Sequence, residues 1–299
     1  MSPKRLAALA AAVLIATFTA AALQAAPAHA APAMWRVTSP TAEIYLFGTL
    51  HALQPGDRWR TPAYDAAYAA ARKVWFEADL GTADPATVGL IVSRYGVDPA
   101  RGLSQKLRPA DLKALRREAD MARIEHLRPW AAALMLSMRP VLAKGARVEA
   151  GADMAVTRQA RAGGKQIAVF ETLEDQARMF SNLPEPAEVQ YLADVIHQRR
   201  APAGRTGSHP SAASLEAQWL AGDLARLGPG LVGELAHDNP DLYDALLKQR
   251  NLAWAAKLTD ELDAGFGVEL VNVGALHMVG PDGLPALLAA RGFKVRRVQ

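Results

Sequence analysis

The chain has 299 residues, 51% of them hydrophobic, with a formal charge of only +4 and no cysteine. So small a charge is no electrostatic footprint for nucleic acid. The lack of cysteine excludes a disulfide framework, a thiolate metal site and a cysteine nucleophile.

Lys4 and Arg5 precede an Ala/Leu/Val run that closes at Ala28-His29-Ala30, the pattern of an export leader with a small-residue cleavage site. The run from Leu6 to Leu23 is nearly long enough for an uncleaved anchor, but it is alanine-rich and weakly apolar. The expectation is therefore a signal peptide over 1–30 and a single domain over 31–299, periplasmic or secreted, with no stable membrane span after cleavage. Loss of Lys4 and Arg5 lowers the charge to +2. The remaining length is ample for a core that needs no covalent staples.

Met34 to Val37 and Glu43 to Phe47 are β-rich runs joined through Ser39-Pro40, which predicts a hairpin. Thr61-Pro62 opens a helix running to Arg72, and "KVWFEADL" follows as a strand. Helical spacing then covers 84–95, 109–124, 130–144 and 151–162, the last stopped by Gly163-Gly164. "KQIAVFE" reads as a third buried strand, followed by a helix from Leu173 to Phe180. Residues 199–214, rich in Gly, Pro and Ser, read as a flexible loop. Helices over 214–227 and 241–264 lead to the strand "VELVNVGALH", a helix over 284–291, and a last strand "FKVRRV". The whole describes an α/β fold: a helix-rich domain with a central mixed, partly parallel sheet, helices on both faces, starting with an N-terminal β-hairpin.

Four predicted strands finish on a group that can carry a proton or a metal: His51 after "IYLFGTL", Glu77 after "KVWF", Glu171 after "IAVF" and His277 after "LVNVGAL". In sheets with parallel strands, ligands bind beyond the carboxyl ends, where loops open and side chains can meet. Gly48 and Gly274, each three residues before a histidine, allow a sharp exit from the strand and a close approach of substrate. Glu77 follows Trp75-Phe76, an apolar setting in which a carboxylate is costly unless paired. Glu171 could equally cap the helix that begins beside it. His29 falls in the expected leader, and His126, His197, His209 and His237 stand away from acid-bearing strands and read as surface residues.

Arg250 is a separate anomaly. The series Leu242, Leu246, Arg250, Trp254, Leu258, Leu262 puts a permanent cation inside an apolar helical stripe, so it must pair with an internal acid or face a developing negative charge. Asn251 beside it is a candidate lining residue. No Gly-x-Ser-x-Gly elbow, His-Glu-x-x-His helix, Walker loop or Gly-x-Gly-x-x-Gly turn occurs, which counts against serine hydrolase, helical zincin and nucleotide-binding readings.

The phrases "IYLFGTLHAL", "VWFEADL", "ADMAVTRQARAGGKQIAVFETLEDQ", "LLKQRNLAWAAKL" and "VNVGALHMVGPDGLPALLAARGFKV" together resemble the TraB/GumN family, which includes the Tiki-type metalloproteases. The resemblance implies an active centre of His51, Glu77 and His277 holding a divalent metal, manganese or cobalt with zinc also admissible, and it places Arg250 at a further motif position. Leu276 stands where relatives usually carry Gly, and Phe170 where they usually carry Leu.

The expected function is an exported, metal-dependent, peptidase-like hydrolase acting on a peptide or other acyl substrate, with no nucleic-acid partner and the oligomeric state open. Glu171 or Asp79 would serve as a supporting acid or general base and Arg250 would steady the oxyanion. Two alternatives stand beside it: a metal-independent hydrolase akin to erythromycin-esterase-type enzymes, and a non-catalytic periplasmic metal or haem binder akin to ChaN-like proteins.

Overall fold

The hairpin forms as expected: β1 (Met34–Thr38) and β2 (Ala42–Thr49) pair antiparallel, and the Ser39 amide closes the turn on the Ala42 carbonyl at 2.9 Å. The computed structural model describes residues 31–79, 81, 84–200, 212–224 and 226–299, so the expected leader and most of the expected 199–214 loop lie outside the described residues. Next come helix α1 (Pro62–Ala70), β3 (Lys73–Phe76), α2 (Pro85–Tyr95), α3 (Pro109–Glu118), α4 (Pro129–Ala143) and α5 (Ala152–Ala162). Strand β4 (Gln166–Val169), α6 (Leu173–Ser181), α7 (Glu185–Arg200), α8 (Ala212–Leu220) and α9 (Gln249–Ala264) follow. Strand β5 (Gly267–Gly274), α10 (Leu284–Ala290) and β6 (Lys294–Arg297) complete the chain.

The six strands form one mixed sheet in the order β4-β3-β5-β2-β1-β6. Strands β4, β3, β5 and β2 are mutually parallel, and β1 and β6 add an antiparallel flank. Register brings their carboxyl ends nearly level: Thr49 lies beside Gly274, and Phe76 lies beside both Asn272 and Val169. The residues that leave those ends therefore enter one crevice.

Both faces are covered, because alternate residues of each strand point to opposite sides. On one side Phe47, Val74, Phe76 and Leu270 pack against Tyr64, Ala67 and Tyr68 of α1 and Val156 and Ala160 of α5. On the other, Ile44, Leu46, Trp75, Val271 and Val273 meet Trp254, Leu258 and Leu262 of α9 and Leu284 and Leu288 of α10. Among the described residues no helix is long and apolar enough to cross a membrane.

Helix α1 starts where its cap chemistry says it should, with Pro62 in the first turn and the Thr61 hydroxyl accepting from the Tyr64 amide at 3.1 Å. Thr61→Ala is expected to lower stability by about 1 kcal/mol, read as a lower denaturation midpoint in urea.

Several elements differ from expectation. The 109–124 helix breaks at Ala119, and Asp120 caps a separate turn, Met121–Ile124. Strand β4 is not buried: it forms the sheet edge, with Gln166 exposed and its neighbours half-covered. The 214–227 helix ends at Leu220, because Gly222 turns the chain at φ +64°, and winding resumes as a π-helix over Arg226–Val232. Helix α7 is absent from the elements expected above: Ala187, Leu192, Ala193, Val195 and Ile196 are all buried, so it presents a broad arc rather than the single apolar stripe by which a helix is read.

Candidate functional site

Within the long helical run that ends in α9, five residues, Asp244–Lys248, wind as a π-helix that ends two residues before Arg250. The wider turn shifts the phase of the side chains, a device often found at functional sites. Leu246 and Leu247 both reach the crevice, while Arg250, only 9% exposed, points at the strand ends.

There it meets two of the strand-end acids and one histidine. Its Nη2 donates to Glu77 Oε2 at 2.6 Å and its Nε to Glu171 Oε1 at 2.9 Å. Nη1 donates to the Leu246 carbonyl at 2.9 Å and faces His277 Nε2 at 3.1 Å. Of the two sequence readings for this cation, the structure shows the internal pairing. Trp254, whose ring lies 4.6 Å under the guanidinium, donates its indole N–H to Glu171 Oε1 at 3.0 Å.

His277 is 3% exposed, on the turn Ala275–Met278 that follows β5. Its Nδ1 lies 2.6 Å from Asn251 Oδ1, and Asn251 Nδ2 donates to the Asp282 carbonyl at 2.7 Å. An amide fixed that way presents its oxygen to the ring, so Nδ1 carries the proton and Nε2 accepts from Arg250. Burial, with the Arg250 cation and His51 adding to it against the pull of Glu77, pushes the ring down to about 3, so it is neutral. An aromatic ladder of Trp75, Phe170 and Trp254 carries the imidazole, with centroid spacings of 4.9, 4.8 and 4.5 Å. Phe170 thus fills a packing role.

Glu77 leaves β3 into the same point. Gly274 N–H donates to Oε1 at 2.6 Å, Gln176 Nε2 reaches Oε2 at 3.3 Å, and His277 Nε2 lies 3.6 Å from Oε1. Burial opposes the charge, yet the Arg250 guanidinium, with His51 and the Gly274 N–H, holds the carboxyl well below its usual range.

His51 leaves β2 and is set by a residue that the sequence reading did not single out, Asp153. Asp153 Oδ2 lies 2.9 Å from His51 Nδ1, which turns Nε2 into the crevice, and 54% of the side-chain surface stays open. Burial works against a charged ring, but the Asp153 hydrogen bond and the Asp153 and Glu77 charges outweigh it and push the histidine up to about 9. Asp153 had a legible signal: it shares a helical face with the buried Val156, Thr157 and Ala160, an acid in a buried stripe just as Arg250 is a cation in one.

Gly274 is where these groups converge. A Cβ there would stand 3.0 Å from Glu77 Oε1, 3.6 Å from His51 Nε2 and 3.7 Å from His277 Cδ2.

Three other expected lining residues stand elsewhere. Gly48 faces the Ala275 backbone, where a Cβ would come within 2.8 Å of Ala275 Cα, so its role is to let the post-β5 turn pack against β2. Asp79 is paired with Arg161 and lines neither pocket at the site. Asn251, 1% exposed, positions His277 from behind. Glu171 likewise faces Arg250 and Trp254 and lines neither pocket.

Two pockets meet at His51, Glu77, Thr49 and Gln176. One, of about 450 Å³, is walled largely by apolar side chains, among them Leu134, Met179, Phe180, Leu231, Leu246 and Leu276. The other, of about 220 Å³, adds Asp153, Thr157 and Asn272, with Phe76, Ala78 and Val273, to the shared residues.

The donor chemistry bears on a divalent ion. Among the described residues no group of three or more His, Asp or Glu side chains is arranged to hold one. The Nε2 lone pair of His277 is already directed at Arg250, and the same guanidinium neutralises Glu77. As placed, His51, Glu77 and His277 do not fit a three-donor metal centre: the arginine occupies the cation's role.

Comparison with known proteins gives a family model, described as the TraB/PrgY/gumN family, matching residues 33–297. The chain is also 29% identical over 162 residues to YbaP of Escherichia coli (strain K12), and equally to YbaP of Shigella flexneri. Each match covers 53% of this chain and 55% of the relative, so it spans about half the length of the curated relatives. No solved structure matches.

Proposed function

We propose that this chain, which belongs to the TraB/PrgY/gumN family, is a hydrolase of acyl compounds that works through a histidine base held by a carboxylate. The observation that carries the reading is the His51–Asp153 pair at 2.9 Å, with the other ring nitrogen turned toward the junction of the two pockets. In its neutral form His51 takes a proton from a water attacking the acyl carbonyl, and as imidazolium it returns that proton to the leaving group. Asp153 fixes the tautomer and stabilises the charged ring. Glu77, kept ionised by Arg250 and the Gly274 N–H, lies beside the reacting centre and favours the imidazolium that forms during attack. Arg250 keeps the buried charges balanced.

The metal-dependent reading is the rival. It is favoured by the open Nε2 of His51 and by the 3.6 Å spacing of His277 Nε2 and Glu77 Oε1, but it requires Arg250 to give up His277. Exhaustive chelation decides between them. The expected result, on a panel of peptide, amide and ester substrates, is hydrolysis retained in chelator with no stoichiometric metal by elemental analysis. Activity lost in chelator and restored by manganese, cobalt or zinc would transfer the proposal to a metal centre. Stoichiometric capture of metal or haem with no product from the panel would favour the binding-protein reading. Export belongs to the same proposal, on the strength of the leader-like first thirty residues. It is checked by N-terminal sequencing of protein recovered outside the cytoplasm.

A further inference from the structure

The residues proposed for catalysis sit between two pockets that differ in the polar groups set into their walls. The larger, about 450 Å³, is walled mainly by leucines with Met179 and Phe180, contributed by α4, α6, α8 and the two π-helical segments. Such a wall gains from apolar contact and offers nothing to a hydrated group. The smaller, about 220 Å³, has Phe76, Ala78 and Val273 in its wall, but set among them are Thr49, Asp153 and Asn272, residues no more than 7% exposed. Each of these three has one side-chain polar atom without a hydrogen-bond partner: Thr49 Oγ1, Asp153 Oδ1 and Asn272 Nδ2. The other oxygens are engaged, Asn272 Oδ1 by the Tyr64 hydroxyl at 2.8 Å and Asp153 Oδ2 by His51. Buried polar groups are normally paired, so three unsatisfied ones around one pocket beside a reactive pair point to a ligand that satisfies them. Together they supply an amide donor, a carboxylate acceptor and a hydroxyl that can do either.

From this juxtaposition we infer that the substrate is amphiphilic: a medium-chain acyl group in the leucine-lined pocket, joined through its amide to a small polar head, bearing both a donor and an acceptor, in the Thr49/Asp153/Asn272 pocket. The inference rests on the hydrolase reading for its chemistry and on the two pockets for its specificity. The acyl carbonyl then falls at the junction, beside His51 and Glu77. Water oxygen adds to the carbonyl carbon, its proton passes to His51, the C–N bond breaks, and the head leaves as an amine carrying that proton. The products are a free fatty acid and a small polar amine. A head with a terminal carboxamide matches the lining, its N–H toward Asp153 Oδ1 and its carbonyl toward Asn272 Nδ2.

The test separates binding from turnover. N-octanoyl-glycinamide, N-acetyl-glycinamide and N-butyl-octanamide are titrated calorimetrically into the full chain, and octanoate release is followed by chromatography. The glycinamide with the octanoyl tail is expected to bind at least about tenfold more tightly than either of the other two. Thr49→Val and Asn272→Asp, checked for unchanged melting, are expected to weaken it by about tenfold each while leaving N-butyl-octanamide unaffected. Leu276→Ser is expected to weaken both octanoyl compounds and not the acetyl one. Equal binding of the glycinamide and butyl heads, or indifference to Thr49→Val, overturns the polar subsite. Equal binding of acetyl and octanoyl compounds, or no binding at all, overturns the acyl subsite. Binding in the expected order without octanoate release sustains the two-pocket assignment and removes the hydrolase reading instead.

Discussion

Arg250→Met should destabilise the protein by about 3 to 5 kcal/mol, the usual cost of removing one partner from a buried ion pair. The guanidinium is the shared partner of Glu77 and Glu171, whose side chains are only 12% and 16% exposed, and it also donates to His277 Nε2. Methionine keeps much of the stem that packs over Trp254 but leaves two carboxylates facing each other in a poorly hydrated crevice. Arg250→Lys should be intermediate, because an ammonium keeps the charge but cannot span Glu77, Glu171 and His277 in one plane. The double variant Arg250→Met/Glu77→Gln should recover part of the loss, since it removes one of the stranded charges. Denaturant titrations of the four proteins measure these differences. A loss below about 1 kcal/mol for Arg250→Met would show that water reaches the carboxylates and that the arginine is not their necessary counter-charge.

The second large effect concerns the reaction. His51→Ala should reduce hydrolysis by about two to four orders of magnitude, the usual contribution of a positioned general base. The pH profile tests the role more sharply than the loss. Asp153, with Glu77, pushes His51 up to about 9, so the base form becomes abundant only as pH rises toward that value. The rate should therefore climb through neutrality. In Asp153→Asn the carboxylate that stabilises the imidazolium is gone, so the limb should move toward lower pH, toward an ordinary histidine, while kcat falls because the tautomer is less firmly held. A profile that kept its midpoint in Asp153→Asn would mean that His51 is not the titrating base.

Much of the site could be read from strand ends. His51, Glu77, Glu171 and His277 each follow an apolar β-run, and a run that pairs in parallel must deliver its next residues to one edge of the sheet. The cation in the apolar stripe of α9 was also legible, because a helix repeats every 3.6 residues whatever lies around it. Gly274 could be noticed but not interpreted, since its value lies in the space its missing Cβ leaves for Glu77, His51 and His277. Asp153 was visible only as a helix-face acid, and its target, 102 residues earlier in the chain, was not.

What the sequence by itself determined is the alternation that buries both faces of the sheet, the caps and breakers that start and stop most helices, and the chemistry available at four strand ends. These depend on neighbours a few residues apart, and periodicity records them. Only the tertiary structure decided which charges meet. Arg250 chose Glu77 and Glu171, Asp153 chose His51, and Asn251 fixed the proton on His277, through contacts between residues 26 to 173 positions apart. It also decided that β4 is an edge strand and that a leucine-walled pocket shares a wall with a smaller one in which three buried polar side chains are set. Desolvation and pairing act through space, so the balance between them is absent from any local pattern and appears only when the strands have been laid side by side.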